Sequence, residues 1–126
     1  MTSDKRIRAF LAALEARDLD AAKAHLHPDV EMIFPGGAVF HRLEELIDWA
    51  RPRYRDVAKR VERIDVAGET AFAQGTLYGH WPDGSAFEGI RFADWFEFED
   101  GLIRRQRVWN DLAEILSDAG AGAKPI

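Results

Sequence analysis

The chain has no cysteine. Disulfides, thiolate nucleophiles and cysteine-ligated zinc are therefore all excluded. It has no excess of basic residues either: 17 Lys and Arg stand against 22 Asp and Glu, a formal net charge of −5. Nucleic-acid binding through phosphates needs a basic face, so no nucleic-acid partner is expected. No apolar run approaches the length of a membrane span, and Met1–Phe10 (MTSDKRIRAF) has no signal-peptide core, so the expectation is a cytoplasmic protein without a membrane partner. No internal repeat and no low-complexity linker divides the sequence. Pro35-Gly36-Gly37 is too short to cradle a phosphate, and no serine nucleophile elbow is present. His25 and His27 lie two apart, which is not one helix face, and no ligand cluster of suitable spacing accompanies them. Neither a metal nor a cofactor is expected.

What is present is ordinary in amount and ordered in pattern. Hydrophobic residues make up 47% and charged residues 31% of 126 residues, enough for one domain with a sizeable core. Ile7, Phe10, Leu11 and Leu14 recur at helical spacing, predicting a first helix capped by Ser3 and running through about Arg17. Asp18 or Asp20 caps a short second helix with Leu19, Ala22 and Leu26 on its buried side. Val30–Phe34 and Ala38–Phe40 read as short strands around a Pro-Gly-Gly turn. Leu43–Val57 reads as a third helix that Pro52 must kink or interrupt.

Long strands follow at Val61–Ala67, Thr70–Trp81 and Ala86–Phe98, with turns at Gly68-Glu69 and Pro82-Asp83-Gly84. Gly75 and Gly79 inside a strand predict a sharp bend or close backbone approach. The stretch Glu88–Asp111 reads as two strands joined at Glu99-Asp100-Gly101, since Asp-Gly between aromatic and β-branched flanks is a strong hairpin signal. Helices first and a meander of antiparallel strands after them predict an α+β domain over residues 1–116. The small, polar residues 117–126 are expected to form a flexible tail.

Two carboxylates stand out. Side chains alternate along a strand, so Phe92, Asp94, Phe96 and Phe98 share a face. Ile103, Arg105, Arg107, Trp109 and Asp111 share a face of the next strand. If both faces look inward, Asp94 and Asp111 meet in an aromatic-lined space, where a carboxylate costs free energy unless partnered or functional. Burial raises a carboxylate's pKa and proximity splits two of them, the conditions for one general acid and one general base. The structural alternative pairs Asp94 with Arg105 or Arg107 and lets Asp111 cap the last turn. His41, after the second short strand, is a further proton-transfer candidate. Phe34, Trp49, Tyr54, Phe92 and Trp109 are candidate pocket walls.

Several ordered patterns carry a resemblance. They are Ala16-Arg17-Asp18-Leu19-Asp20, Leu26-His27-Pro28-Asp29-Val30, Phe34-Pro35, Phe96–Ile103 (FEFEDGLI) and Trp109-Asn110-Asp111. Together they resemble the NTF2-like superfamily, in particular its SnoaL-like polyketide cyclase branch, over about Ile7 to Leu116. The resemblance implies a cone: three N-terminal helices packed in a strongly curved, mostly antiparallel sheet, with a pocket at the wide end. It also implies that Asp94 matches the pocket aspartate of limonene-epoxide-hydrolase-like members and, with one residue of turn length allowed, the oxyanion-side aspartate of ketosteroid isomerases. Asp111 would match the second aspartate of the epoxide hydrolases.

The departures are equally specific. The isomerase tyrosine falls on Phe10, which then becomes a pocket candidate, and the isomerase base falls on Phe34. The epoxide-hydrolase arginine falls on Phe92, Arg91 lies on the opposite face, and Arg107 is the available substitute. The implied function is a cofactor-independent acid–base enzyme on an apolar, ring-containing substrate: a cyclase, isomerase, dehydratase or epoxide hydrolase. The alternative is a non-catalytic ligand-binding or dimerisation module. A homodimer is expected through the outer sheet face, with Phe72, Tyr78, Trp95 and Val108 as its patch.

Overall fold

The computed structural model describes residues 1–121. The chain runs α1 (Ser3–Glu15), α2 (Leu19–Lys23), β1 (Leu26–Phe34), β2 (Ala38–Phe40), α3 (Leu43–Ala50), β3 (Asp56–Ala67), β4 (Thr70–His80), β5 (Ala86–Glu99), β6 (Leu102–Asn110) and α4 (Leu112–Ala121). Its six strands form one sheet in the order β2-β1-β6-β5-β4-β3. Every neighbouring pair is antiparallel except β1 with β6. This is the expected α+β cone, with helices in the hollow of a curved sheet.

Local chemistry explains the helix ends. The Thr2 hydroxyl accepts from the Lys5 amide and starts α1, one residue before the expected cap. Asp18 does the same for α2 through the Ala21 amide. The third helix is shorter than its apolar pattern suggests: α3 stops at Ala50 rather than Val57. Proline disfavours helix in the residue before it, so Pro52 ends the element instead of kinking it. The freed chain turns at once, with the amides of Arg53 and Tyr54 both donating to the Ala50 carbonyl. β3 therefore begins at Asp56, five residues before the expected start.

The curl of the sheet is built at the β3–β4 edge. A Cβ on Gly75 would lie 1.9 Å from the Arg60 carbonyl oxygen, so only glycine lets the two strands close there. A bulge in β3 between Val61 and Arg63 sits opposite. The β5–β6 hairpin turns on Asp100 and Gly101, both with positive φ (54° and 75°), the conformation a two-residue hairpin turn demands.

The principal core lies between α1 and the hollow face, with Ile7, Phe10, Met32, Phe96 and Ile103 wholly buried. A second cluster of Leu77, Ile90 and Phe92 spans β4 and β5, with Val57, Val61 and Leu112 packed against it. Beyond β6 the chain continues as α4 past Leu116, where a flexible tail was expected to begin. The end of that expected tail, residues 122–126, lies outside the described residues. No helix among the described residues is long and apolar enough to cross a membrane.

Candidate functional site

Register decides which side chains enter the hollow. On β5, Phe92, Asp94, Phe96 and Phe98 are all buried on the inner face. On β6, Ile103 pairs with Phe98 and also points inward. The pairing then passes from Phe98↔Ile103 to Glu97↔Arg105, so Arg104 is an extra residue and the strand bulges. One inserted residue exchanges the faces of everything after it. Gln106 and Val108 consequently point inward, and Arg105, Arg107 and Trp109 point outward.

This overturns the paired-aspartate site. Asp111 lies outside and accepts from Arg91 Nε at 2.5 Å. Arg107 stacks on the outer face of Trp95, its guanidinium 5.1 Å from the ring centre. Trp109 is 53% exposed and does not line the cavity. His41 is exposed, with Nδ1 3.0 Å from the Val30 carbonyl oxygen, and does not line the cavity. Phe10 is wholly buried in the principal core rather than at the cavity wall. Phe34, Trp49 and Tyr54 do line the cavity, and Phe92 lies beneath it.

In place of the second aspartate the fold supplies a lysine. Lys59 on β3 pairs with Leu77 of β4, an inward position, and reaches over the Phe92 ring to place Nζ 2.5 Å from Asp94 Oδ2. Gln106 Nε2 approaches the same oxygen at 3.4 Å. Asp94 is wholly buried and its Oδ1 has no hydrogen-bond donor. Burial pushes the Asp94 carboxyl above the usual carboxylate range, and the charge and hydrogen bond of Lys59 oppose that rise without cancelling it. The backbone amide of Lys59 is fixed from the other side by Glu15 Oε1 at 2.7 Å, which ties this edge strand to the end of α1.

The cavity has a volume of about 260 Å³ and a mostly apolar wall. Leu11 and Leu14 come from α1, Leu46, Ile47 and Trp49 from α3, Val57 from β3 and Leu77 from β4. Val108 and Asn110 close it from β6, and Leu112 and Leu116 from α4. Lys59 lines this wall, whereas Asp94 lies behind it. Asn110 is not free to move, because its Oδ1 accepts the Leu112 amide and starts α4.

The site thus presents one ammonium group to an apolar chamber, backed by a buried carboxylate and a buried amide. Such an array can hold or deliver a proton and stabilise negative charge developing on a ligand oxygen. Reading the sequence missed Lys59 because β3 was expected to start at Val61. The signal was the alternation Val57, Lys59, Val61, which puts a lysine at an inward apolar position.

A separate group, His27, Glu99 and Asp100, brings three possible metal ligands within 4.8 Å of one another. His27 Nδ1 accepts the Asp29 amide at 3.0 Å, so the ring proton sits on Nε2 and points at Glu99 Oε2, 2.9 Å away. A metal on Nε2 would have to displace that proton, and the group is better accounted for as a tether between β1 and the β5–β6 turn.

Solved structures with this architecture are numerous. An NTF2-like protein of unknown function from Burkholderia pseudomallei is 22% identical with a TM-score of 0.82, over 96% of this chain and 100% of that one. IdmH from Streptomyces antibioticus, a polyketide cyclase candidate, is 18% identical with a TM-score of 0.78, over 96% and 100%. An LEH-like epoxide hydrolase from M. tuberculosis is 21% identical with a TM-score of 0.71, over 90% and 85%. At these identities the likeness is one of fold. None of the curated proteins matches the sequence. The SnoaL-like domain model matches residues 7–106, a span from the first buried residue of α1 to the buried Gln106 beside Asp94, and the chain belongs to that family within the NTF2-like fold.

Proposed function

We propose that the chain is a cofactor-independent acid–base enzyme acting on a small, apolar, ring-containing molecule held in the cone. The observation that carries this reading is the Lys59–Asp94 pair: a buried ion pair against an otherwise apolar cavity. A buried pair is a poor source of stability, because desolvation offsets most of the Coulombic gain. A carboxyl raised by burial, placed directly behind a cavity wall and joined to a cation on that wall, is the kind of group proton chemistry uses. Lys59 is the group that touches the ligand. Its ammonium donates to a substrate oxygen on which charge develops, an enolate, alkoxide or opening epoxide. Asp94 acts through Lys59, orienting Nζ and balancing its charge. Aldol cyclisation, isomerisation, dehydration and epoxide opening all need such a group.

A second reading, a non-catalytic binding module, draws on a specific observation. The acid–base partner expected opposite Asp94 lies outside, with Asp111 bound to Arg91. Turnover of enolisable β-diketones and aryl epoxides by the unmodified chain and by Lys59→Met separates the two. An enzyme loses turnover in the variant while retaining N-phenyl-1-naphthylamine binding. Absence of turnover throughout, with binding unaltered by the substitution, selects the module.

The expected homodimer is also proposed, with a changed patch. Val108 faces the core and leaves it. Phe72 (52% exposed), Tyr78 (38%) and Trp95 remain, Trp109 (53%) joins them from the expected pocket wall, and β-sheet register sets Phe72 beside Trp95 and Ala93 beside Trp109. Aromatic residues of this kind, rimmed by Arg91 and Arg107, suit an interface between two copies.

A further inference from the structure

The chain carries a net charge of −5, yet the rim of its cavity is basic. Arg17 follows α1, and Arg51, Arg53 and Arg55 lie in the five-residue connection between α3 and β3. Arg17 and Arg53 line the cavity itself. Arg17, Arg51 and Arg55 line an adjoining recess of about 250 Å³, which shares Arg17, Ile47, Ala50 and Tyr54 with the main cavity. The two spaces therefore meet at Arg17 and Tyr54.

Acidic groups offset part of this rim: Asp48 pairs with Arg51 at 3.2 Å, and Glu15, whose Oε1 accepts the Lys59 amide at 2.7 Å, also lines the cavity. Among residues 1–116, whose side chains are described, neither Arg17 nor Arg53 pairs with a carboxylate. Arg17 is instead held by its own helix end, Nη1 donating to the Leu14 carbonyl at 2.7 Å. Arg53 is held over Trp49, its guanidinium carbon 3.9 Å from the ring centre. Both forks are thus positioned by contacts with a carbonyl and an aromatic ring rather than with a carboxylate of residues 1–116. Tyr54 stands between them: burial raises its hydroxyl pKa, and the charges of Arg17 and Arg53 oppose that rise.

We infer that the ligand is an amphipathic anion, with an apolar ring body in the main cavity and an anionic group bound at the rim by Arg17 and Arg53. This rests on the proposal that the cavity holds a ring-containing ligand, and it adds a charge to what was expected to be a wholly apolar molecule. The geometry requires the anionic group to sit at the opening rather than at the buried Lys59–Asp94 pair, whose ammonium is already matched. Guanidinium forks are suited to carboxylate, sulfonate and phosphate oxygens alike. The nature of the acid is therefore set by the substrate, and the requirement for an anion by the protein.

Two fluorescent probes share one ring body and differ in charge: 1-anilinonaphthalene-8-sulfonate and neutral N-phenyl-1-naphthylamine. Both are titrated into the intact chain and into the Arg17→Gln, Arg53→Gln double variant, with thermal melting as the check on folding. Competition between the probes establishes that they share one site. The expected result is an affinity loss of about tenfold for the sulfonate, the order expected of a charge-assisted contact, and little change for the neutral probe. In the unmodified chain, raising the salt concentration weakens the sulfonate and spares the neutral probe, a result that stands even if the variant does not fold. Equal behaviour of the two probes in both comparisons overturns the inference and leaves the ligand cavity standing. Failure of both probes to bind overturns the ligand cavity, and the inference with it.

Discussion

The two faces of this sheet use the same ion-pair chemistry to different ends. On the concave face Lys59 meets Asp94 at 2.5 Å, with the aspartate wholly buried and one carboxylate oxygen without a donor. On the convex face Arg91 meets Asp111 at the same 2.5 Å, with side chains 82% and 35% exposed. Equal distances conceal unequal energetics. Water solvates the outer pair whether or not it forms, so its formation changes little. The inner pair has lost its water, so each member depends on the other. Distance alone does not separate the two pairs; the medium around each does.

The largest expected effect breaks the inner pair. Lys59→Met leaves Asp94 buried without its cation and should cost about 3–5 kcal/mol near neutral pH, read from urea unfolding. The cost should depend on pH with a definite sign. A carboxyl whose pKa is raised by folding contributes stability below its unfolded pKa and loses it as pH rises through the folded value. Removing Lys59 leaves only the Gln106 hydrogen bond against desolvation and raises that value further. The variant should therefore approach the parent in acid and fall away from it as pH rises. A cost that is the same at every pH would mean that Asp94 is neutral throughout.

Next in size is the curl that creates a concave face at all. Gly75→Ala brings a methyl group against the Arg60 carbonyl oxygen and should destabilise by about 1–3 kcal/mol, as overpacking does. A thermal midpoint unchanged from the parent would show that β3 and β4 can separate there without loss.

On the convex face the expected change is in assembly rather than stability. Phe72→Glu with Trp109→Glu should convert a dimer to a monomer in light scattering, while the unfolding free energy of the monomer itself, measured at high dilution, changes by no more than about 0.5 kcal/mol, as surface substitutions usually do. A dimer that survives the double substitution removes this face as the interface. Smallest of all is Arg91→Ala, which should leave the urea midpoint unmoved despite the short Arg91–Asp111 contact. A clear loss there would erase the contrast between the faces.

Much of the architecture was legible in sequence order. The helical stripe Ile7, Phe10, Leu11, the Asp18 cap, the Asp100-Gly101 turn and the alternation Phe92, Asp94, Phe96, Phe98 each depend on residues close in the chain. Their physics is local, so neighbouring residues suffice to read it. The resemblance to the SnoaL-like branch likewise rested on ordered local patterns, and the family match covers residues 7–106.

The site was legible by one half. Asp94 was readable as an inward carboxylate because alternation along β5 is unbroken. Asp111, Arg107, Trp109 and Val108 were each assigned to the wrong face, all for one reason. The extra residue Arg104 reverses inside and outside for the rest of β6, and it is visible only in the pairing with β5. Lys59 was hidden by a different limit: Pro52 ended α3 early enough for β3 to begin at Asp56, and only the curl at Gly75 carries Lys59 across to Asp94. The sequence by itself determined the class of fold, the order of its elements and the inward aspartate, since these follow from periodicity and turn chemistry. Tertiary structure alone decided the partner of that aspartate and the basic rim above it, since both join residues that are distant along the chain and meet only when the sheet closes.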